Sequence, residues 1–72
     1  PRGKRRLQIH ILQGFPGVGP RRAARLLDRF GTLDGILNAE VEELCKVRGI
    51  GLSVARGIHW AVREEEPHYE VA

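Results

Sequence analysis

The chain has 72 residues, 42% of them hydrophobic and 29% charged, and a formal net charge of +3. That length holds one small domain with one modest core, and a single cysteine, Cys45, excludes an internal disulfide. No apolar run approaches the roughly 20 residues of a membrane span, so no membrane partner is expected.

No stretch alternates with period two, and the apolar residues recur at helical spacing throughout. Residues 1–6 form a basic lead, and a first helix is expected over about 5–13, with Leu7 and Ile11 four apart and Leu12 beside them. A turn over 14–19 precedes a second helix. It opens at Pro20, where a missing N–H costs nothing, and stops at Gly31. Ala23, Leu26, Leu27 and Phe30 form its buried stripe, while Arg21, Arg25 and Arg29 share another face. Thr32 is placed to cap a short third helix over 33–37. A fourth helix begins near Asn38–Glu40 and runs to Lys46, its Glu42 and Glu43 complementing the dipole. Cys45, beside Leu44, reads as a small core filler. The second turn, 47–51, leads to a fifth helix from Leu52 to about Glu66, and a tail follows over 67–72. The fold class is therefore all-α, five short helices. The chain contains no methionine, even at its start, so we read it as a segment of a longer protein with the function of a module.

The sequence also repeats itself. Phe15-Pro16-Gly17-Val18-Gly19 returns 32 positions later as Val47-Arg48-Gly49-Ile50-Gly51, and Leu12, Ala23, Leu26 and Phe30 align with Leu44, Ala55, Ile58 and Val62. This spacing predicts two helical hairpins joined by a connector helix. Neither hairpin buries its apolar face alone, so the two should pack together about a pseudo-twofold axis. Each glycine-lined turn opens a helix whose first N–H groups lack an intrahelical partner and carry the positive end of the dipole. A phosphate oxygen is a natural acceptor for them. Gly17, Gly19, Gly49 and Gly51 are expected to supply backbone torsions closed to other residues and a surface free of side chains. Val18 and Ile50 are counted with these glycines among the expected DNA-binding residues of the turns, and should turn inward and anchor the loops. Such contacts hold phosphates and ignore base edges.

Charge is divided unequally along the chain. Residues 1–31 carry eight Lys/Arg against Asp28 alone, a balance of +7, while residues 32–72 carry four basic against eight acidic residues, a balance of −4. One half attracts a polyanion that the other repels. Arg21, Arg22 and Arg25 after the first turn, and Arg48 and Arg56 beside the second, are the expected phosphate partners. Arg2, Lys4, Arg5 and Arg6 suit a tail or a further contact equally well. The first hairpin is expected to bind more strongly.

Leu12-x-x-Phe15-Pro16-Gly17-Val18-Gly19-x-x-x-Ala23-x-x-Leu26 resembles the helix-hairpin-helix motif, and Leu44-x-x-Val47-Arg48-Gly49-Ile50-Gly51-x-x-x-Ala55-x-x-Ile58 resembles a second copy. The resemblance covers residues 7–66, the expected domain. With the basic lead and the Pro67-His68-Tyr69 tail, it is similar to the C-terminal domain of XPF-type structure-specific endonucleases, including the archaeal Hef proteins. The C-terminal domain of the excision-repair nuclease UvrC has nearly the same pattern, and both parents stay open. The resemblance implies a non-catalytic DNA-binding module of a repair endonuclease, indifferent to sequence. It would be aimed at branched DNA or double-strand/single-strand junctions and would pair with a second copy or a relative. The setting so implied is the cytoplasm or nucleoid, which a lone cysteine also suits. In the family the nuclease signature, an acidic metal-binding cluster with a Glu-Arg-Lys run, lies in a separate upstream domain. Nothing here matches it, so no catalytic residue and no divalent metal is assigned. Turns in related families can hold a monovalent cation on their carbonyls.

The fifth helix is apolar over too wide an arc for one core. Ala55, Ile58, His59 and Val62 repeat the buried stripe of the second helix, while Val54, Ile58 and Ala61 form another. Trp60 aligns with Asp28, a position that should face water. Val54, Trp60 and Ala61, with Tyr69 from the tail, are therefore the expected dimer interface. His10, His59 and His68 lack zinc-site spacing, and His59 reads as a satisfied core histidine. No nucleophile–base pairing suggests an enzyme in its own right. The competing reading is a dimerisation or scaffold module whose hairpins do not grip DNA.

Overall fold

A computed structural model describes residues 3–63. It is helical throughout: α1 (Gly3–Leu12), α2 (Pro20–Phe30), α3 (Leu33–Leu37), α4 (Val41–Cys45) and α5 (Leu52–Ala61), with no strand among the described residues. α1 packs on α2 and α4 on α5, making the two hairpins, and the connector α3 lies against α2.

The core is built from the repeat. Leu12 and Leu44, Val18 and Ile50, Ala23 and Ala55, and Leu26 and Ile58 are buried as four pairs related by the 32-residue offset, with Ile36 of the connector fully buried among them. Alanine at 23 and 55 lets the helices of each hairpin approach closely. Leu27 is also buried, whereas its counterpart His59 is half-buried at the edge. Arg63 Nη2 donates to His59 Nδ1 (3.1 Å) and Arg63 Nη1 to Leu37 O (3.4 Å), tying the end of α5 to the connector.

The helix ends follow from local chemistry. Gly31 closes α2, its N–H donating to Leu27 O at 2.7 Å. Thr32 caps α3, Oγ1 accepting from Gly35 N at 2.9 Å. Asn38 ends α3 rather than starting α4: its Nδ2 donates to Asp34 O (2.9 Å) and Oδ1 (3.0 Å), and Glu40 becomes the cap of α4. α5 stops earlier than expected. Val62 and Arg63 have left the helix, Arg63 N–H reaching only Trp60 O at 3.2 Å, and residues 64–66 lie outside the described residues.

α1 departs from its expected face. Leu7 and Ile11 are 58% and 47% exposed, while Ile9 and Leu12 turn to the core. Apolar residues surround this helix, and packing on α2 selects the Ile9–Leu12 edge.

Exposed ion pairs join the elements at the surface, Arg5–Asp28 (3.0 Å) between α1 and α2, and Arg29–Glu43 (3.6 Å) between α2 and α4. Exposed pairs of this sort add little stability. Lys46, bonded to Glu43 at 3.1 Å, and then Arg29 hold the Glu43 carboxyl below its ordinary value.

The core and the exposed face of α1 separate cleanly by mutation. Leu26→Ala is expected to cost about 2–5 kcal/mol in urea denaturation, as large-to-small changes in cores do, while Leu7→Ala stays within about 0.5 kcal/mol of the parent.

Candidate nucleic-acid interface

The two turns repeat bond for bond. Phe15 N–H donates to Leu12 O and Val47 N–H to Leu44 O, both at 3.1 Å; Val18 N–H donates to Phe15 O (3.1 Å) and Ile50 N–H to Val47 O (3.0 Å). Ala23 N–H to Gly19 O and Ala55 N–H to Gly51 O, both 2.9 Å, are the first bonds of α2 and α5. Gly19 and Gly51 occupy the cap positions and have no side chain with which to satisfy the helix start. Among the described residues, the N–H groups of Gly19, Arg21 and Arg22 therefore have no backbone acceptor, nor do those of Gly51, Leu52, Ser53 and Val54. Each turn presents a row of unpaired donors at the positive end of a helix.

The two glycines of a turn differ in kind. Gly17 and Gly49 hold φ of +84° and +89°, the left-handed region. Gly19 and Gly51 are extended, with φ of −94° and −89°, and a methyl group on either would meet nothing within 4 Å. The expectation of special torsions thus holds for the first glycine of each turn and is corrected for the second, whose part is to leave the helix start bare.

Gly17 and Gly49 also sit where the hairpins meet. A methyl group on Gly17 would lie 2.9 Å from Val54 Cγ2, and one on Gly49 would lie 2.9 Å from Arg25 Nη1 and 3.3 Å from Arg22 Nε. Positions 22 and 54 are 32 apart, as are 17 and 49, so each turn rests against the equivalent residue of the other hairpin. One of these contacts is apolar and the other is polar. Arg22 Nε donates to Gly49 O at 2.7 Å and its Nη1 to Gly17 O at 3.2 Å, while Arg25 Nη1 donates to Arg48 O at 3.3 Å.

The expected site residues are therefore distributed unevenly. Arg21, Arg48 and Arg56 are exposed, with no side-chain partner among the described residues. Arg22, though exposed, places two of its five N–H donors on carbonyls of the turns, and the half-buried Arg25 places one. Val18 and Ile50 are buried, and their N–H groups close the turns, so they anchor the loops and present no donor. Gly19, Pro20, Arg21, Arg22 and Arg25 line one depression at the start of α2, and Arg25, Arg29, Lys46 and Arg48, with Asp28 and Val47, line a groove beside the second turn.

Of the expected dimer surface, Trp60 is 73% exposed and Ala61 is exposed. Val54 is half-buried against Gly17 and the core, so it belongs to the inter-hairpin contact, and Tyr69 lies outside the described residues. Sequence reasoning missed the bonds from Arg22 and Arg25 to carbonyls of the turns. Its one available signal was the pairing of arginine with valine at positions 22 and 54, where a shared solvent-facing role would favour similar chemistry. It also passed over the free N–H groups of Leu52 and Ser53.

The carbonyls of Gly17, Arg48 and Gly49 accept from the guanidinium groups of Arg22 and Arg25.

Residues 9–64 match the SAM-like helix-hairpin-helix tandem family, and the chain belongs to it. Among curated relatives, the UvrABC system protein C of Thermus thermophilus is 42% identical over 59 residues, covering 82% of this chain and 10% of that protein. The protein of the same name from Methanothermobacter thermautotrophicus is 50% identical over 48 residues, covering 67% of this chain and 8% of its own. The chain thus spans about a tenth of the length of these relatives. Among solved structures, XPF from Aeropyrum pernix in complex with DNA superposes with a TM-score of 0.78 at 42% identity, over 83% of this chain and 30% of that one. A structure of XPF from the same organism gives 0.79 at 41% identity, over 88% and 32%.

The contrast within each turn is measurable. Gly17→Ala and Gly49→Ala are each expected to lower stability by about 1–3 kcal/mol, the cost of forcing a side chain into the left-handed region. Gly19→Ala and Gly51→Ala should cost under about 1 kcal/mol at their cap positions. Thermal or urea unfolding of the four variants reads the difference.

Proposed function

We propose that this chain is a sequence-non-specific DNA-binding module of a structure-specific repair endonuclease, and that it grips the phosphate backbone with both turns. The observation that carries the reading is the pair of bare helix starts, with unpaired N–H groups at Gly19, Arg21 and Arg22 and from Gly51 to Val54 on the same small domain. Backbone donors recognise phosphate oxygens and carry no base information. Arg21, Arg48 and Arg56 add charge at the rim, and the +7 balance of residues 1–31 supplies long-range attraction. The UvrABC system protein C relatives and the XPF complex with DNA support the setting. Two linked phosphate grips favour a ligand whose strands diverge or bend, so the preferred target is branched DNA or a double-strand/single-strand junction. Cleavage belongs to other parts of such parent proteins, and the module brings DNA to them.

The exposed indole of Trp60 beside Ala61 supports a second property of the same module, association with another copy or a related domain. An aromatic side chain 73% open to water on a 72-residue domain leaves a large apolar area uncovered.

Titration with duplex and branched oligonucleotides at low ionic strength should shift the amide signals of Gly19, Arg21, Gly51, Leu52 and Ser53. Unmoved signals at both turns overturn the phosphate reading. Arg21→Ala should reduce the log–log salt slope of duplex binding by about 0.9, the value for one lost phosphate contact. In sedimentation equilibrium the chain is expected to associate at high concentration and Trp60→Ala to weaken that association. A strict monomer rejects homodimerisation through this surface.

A further inference from the structure

We infer that Arg22 is a positioning residue, which sets the geometry between the two phosphate-binding turns. This inference rests on the phosphate reading above and adds a division of labour among its arginines.

The geometry of one side chain carries it. The Arg22 guanidinium donates from Nε to Gly49 O at 2.7 Å and from Nη1 to Gly17 O at 3.2 Å, so a single planar group bridges the first glycine of each turn. Gly17 and Gly49 are the residues whose left-handed backbone turns the chain into the helix starts. Fixing their carbonyls fixes the direction of the N–H groups that follow. Arg25 supports the arrangement from one turn further along α2, through Arg48 O at 3.3 Å.

Electrostatics favour the same assignment. A peptide turn that aims its N–H groups outward must aim carbonyl oxygens elsewhere, and in this fold Gly17 O and Gly49 O converge on the junction between the hairpins. Two converging carbonyl dipoles repel each other and would repel a nearby phosphate. A guanidinium between them removes that repulsion, and its planar fork of donors suits two separate acceptors. A lysine ammonium in its place has the charge without the fork, because its three donors radiate from one atom at the end of a flexible stem.

The pseudo-twofold partner of Arg22 is Val54, which closes the opposite contact by packing Cγ2 against Gly17. The symmetric pair of contacts is thus made once by apolar packing and once by hydrogen bonds. Both side chains reach the opposite hairpin, the half-buried Val54 at Gly17 and the exposed Arg22 at Gly49, and Arg22 also bonds Gly17 of its own hairpin.

The decisive variant is Arg22→Lys, which keeps the charge and the helix. It is expected to bind duplex DNA about tenfold more weakly than the parent. In the same titration the amide shifts of Gly51, Leu52 and Ser53 in Arg22→Lys should fall to less than half of those at Gly19 and Arg21, because the second turn is no longer held in register. Arg22→Gln, which retains a planar donor but no charge, should recover part of the second-turn shift. Wild-type affinity in Arg22→Lys overturns the inference, as does an equal loss of shift at both turns. Failure of the phosphate reading is recognised separately, by the absence of any shift in the parent protein.

Discussion

The site depends on the mutual approach of two turns across the pseudo-twofold axis. Gly17 meets Val54, a methyl group on it lying 2.9 Å from Val54 Cγ2, and Gly49 meets Arg22 and Arg25, whose guanidinium nitrogens would lie 3.3 and 2.9 Å from such a group. A single glycine-lined helix start holds one phosphate weakly, since its donors lie at the surface and compete with water. On the proposed reading, two such starts held together by these contacts would act on one ligand with much of the ordering cost already met by folding. The same residues that make the turns are therefore the residues that join them.

That economy has consequences for the core. A chain of 72 residues buries little, and nearly all that it buries is assigned to the repeat: Leu12 with Leu44, Val18 with Ile50, Ala23 with Ala55, Leu26 with Ile58. Val18 and Ile50 link the two levels. Each is the buried residue between the two glycines of its turn, so the hydrophobic core pulls each loop inward and leaves the N–H groups on either side facing out. The donor row is thus a product of packing, and a loosened core would blur the site before any donor was lost.

Much of this was readable in the residues because the repeat is a statement about tertiary structure. A 32-residue offset that preserves glycines, alanines and large apolar residues together specifies two equivalent hairpins, and with them the inward Val18 and Ile50 and the cap at Thr32. Where the reading faltered, the cause was local ambiguity. In α1, Leu7, Ile9, Ile11 and Leu12 are apolar on several faces, and only contact with α2 decides which edge is buried. Asn38 is as good at ending one helix as at starting the next, and its bonds to Asp34 settle the matter. The arginines were harder. Periodicity places Arg22 and Arg25 beside a helix start, where phosphate contact is the natural expectation, but the reach of a long side chain across to another element leaves no trace in spacing. The second glycine of each turn misled for another reason: sequence shows that a side chain is missing and not whether the backbone required it.

The two copies reach similar backbones by different chemistry, and the difference bears on how DNA would lie on them. Pro20 gives the first helix start a fixed φ but removes one donor, so that turn offers Arg21 and Arg22 N–H groups after Gly19. Leu52 occupies the matching place in the second copy and restores the donor, giving Leu52, Ser53 and Val54. Side-chain charge runs the other way. The first turn is followed by Arg21 and Arg25, whereas the second is preceded by Glu40, Glu42 and Glu43, with Arg29 and Lys46 drawn into pairs with Glu43. The first hairpin thus has charge in excess of backbone donors, and the second has donors in excess of charge. Charge acts at long range and is weakened by salt, while N–H donors act only at contact. On the proposed phosphate reading, the first turn would therefore attract a backbone from a distance, and the second would add donors once the backbone is in contact.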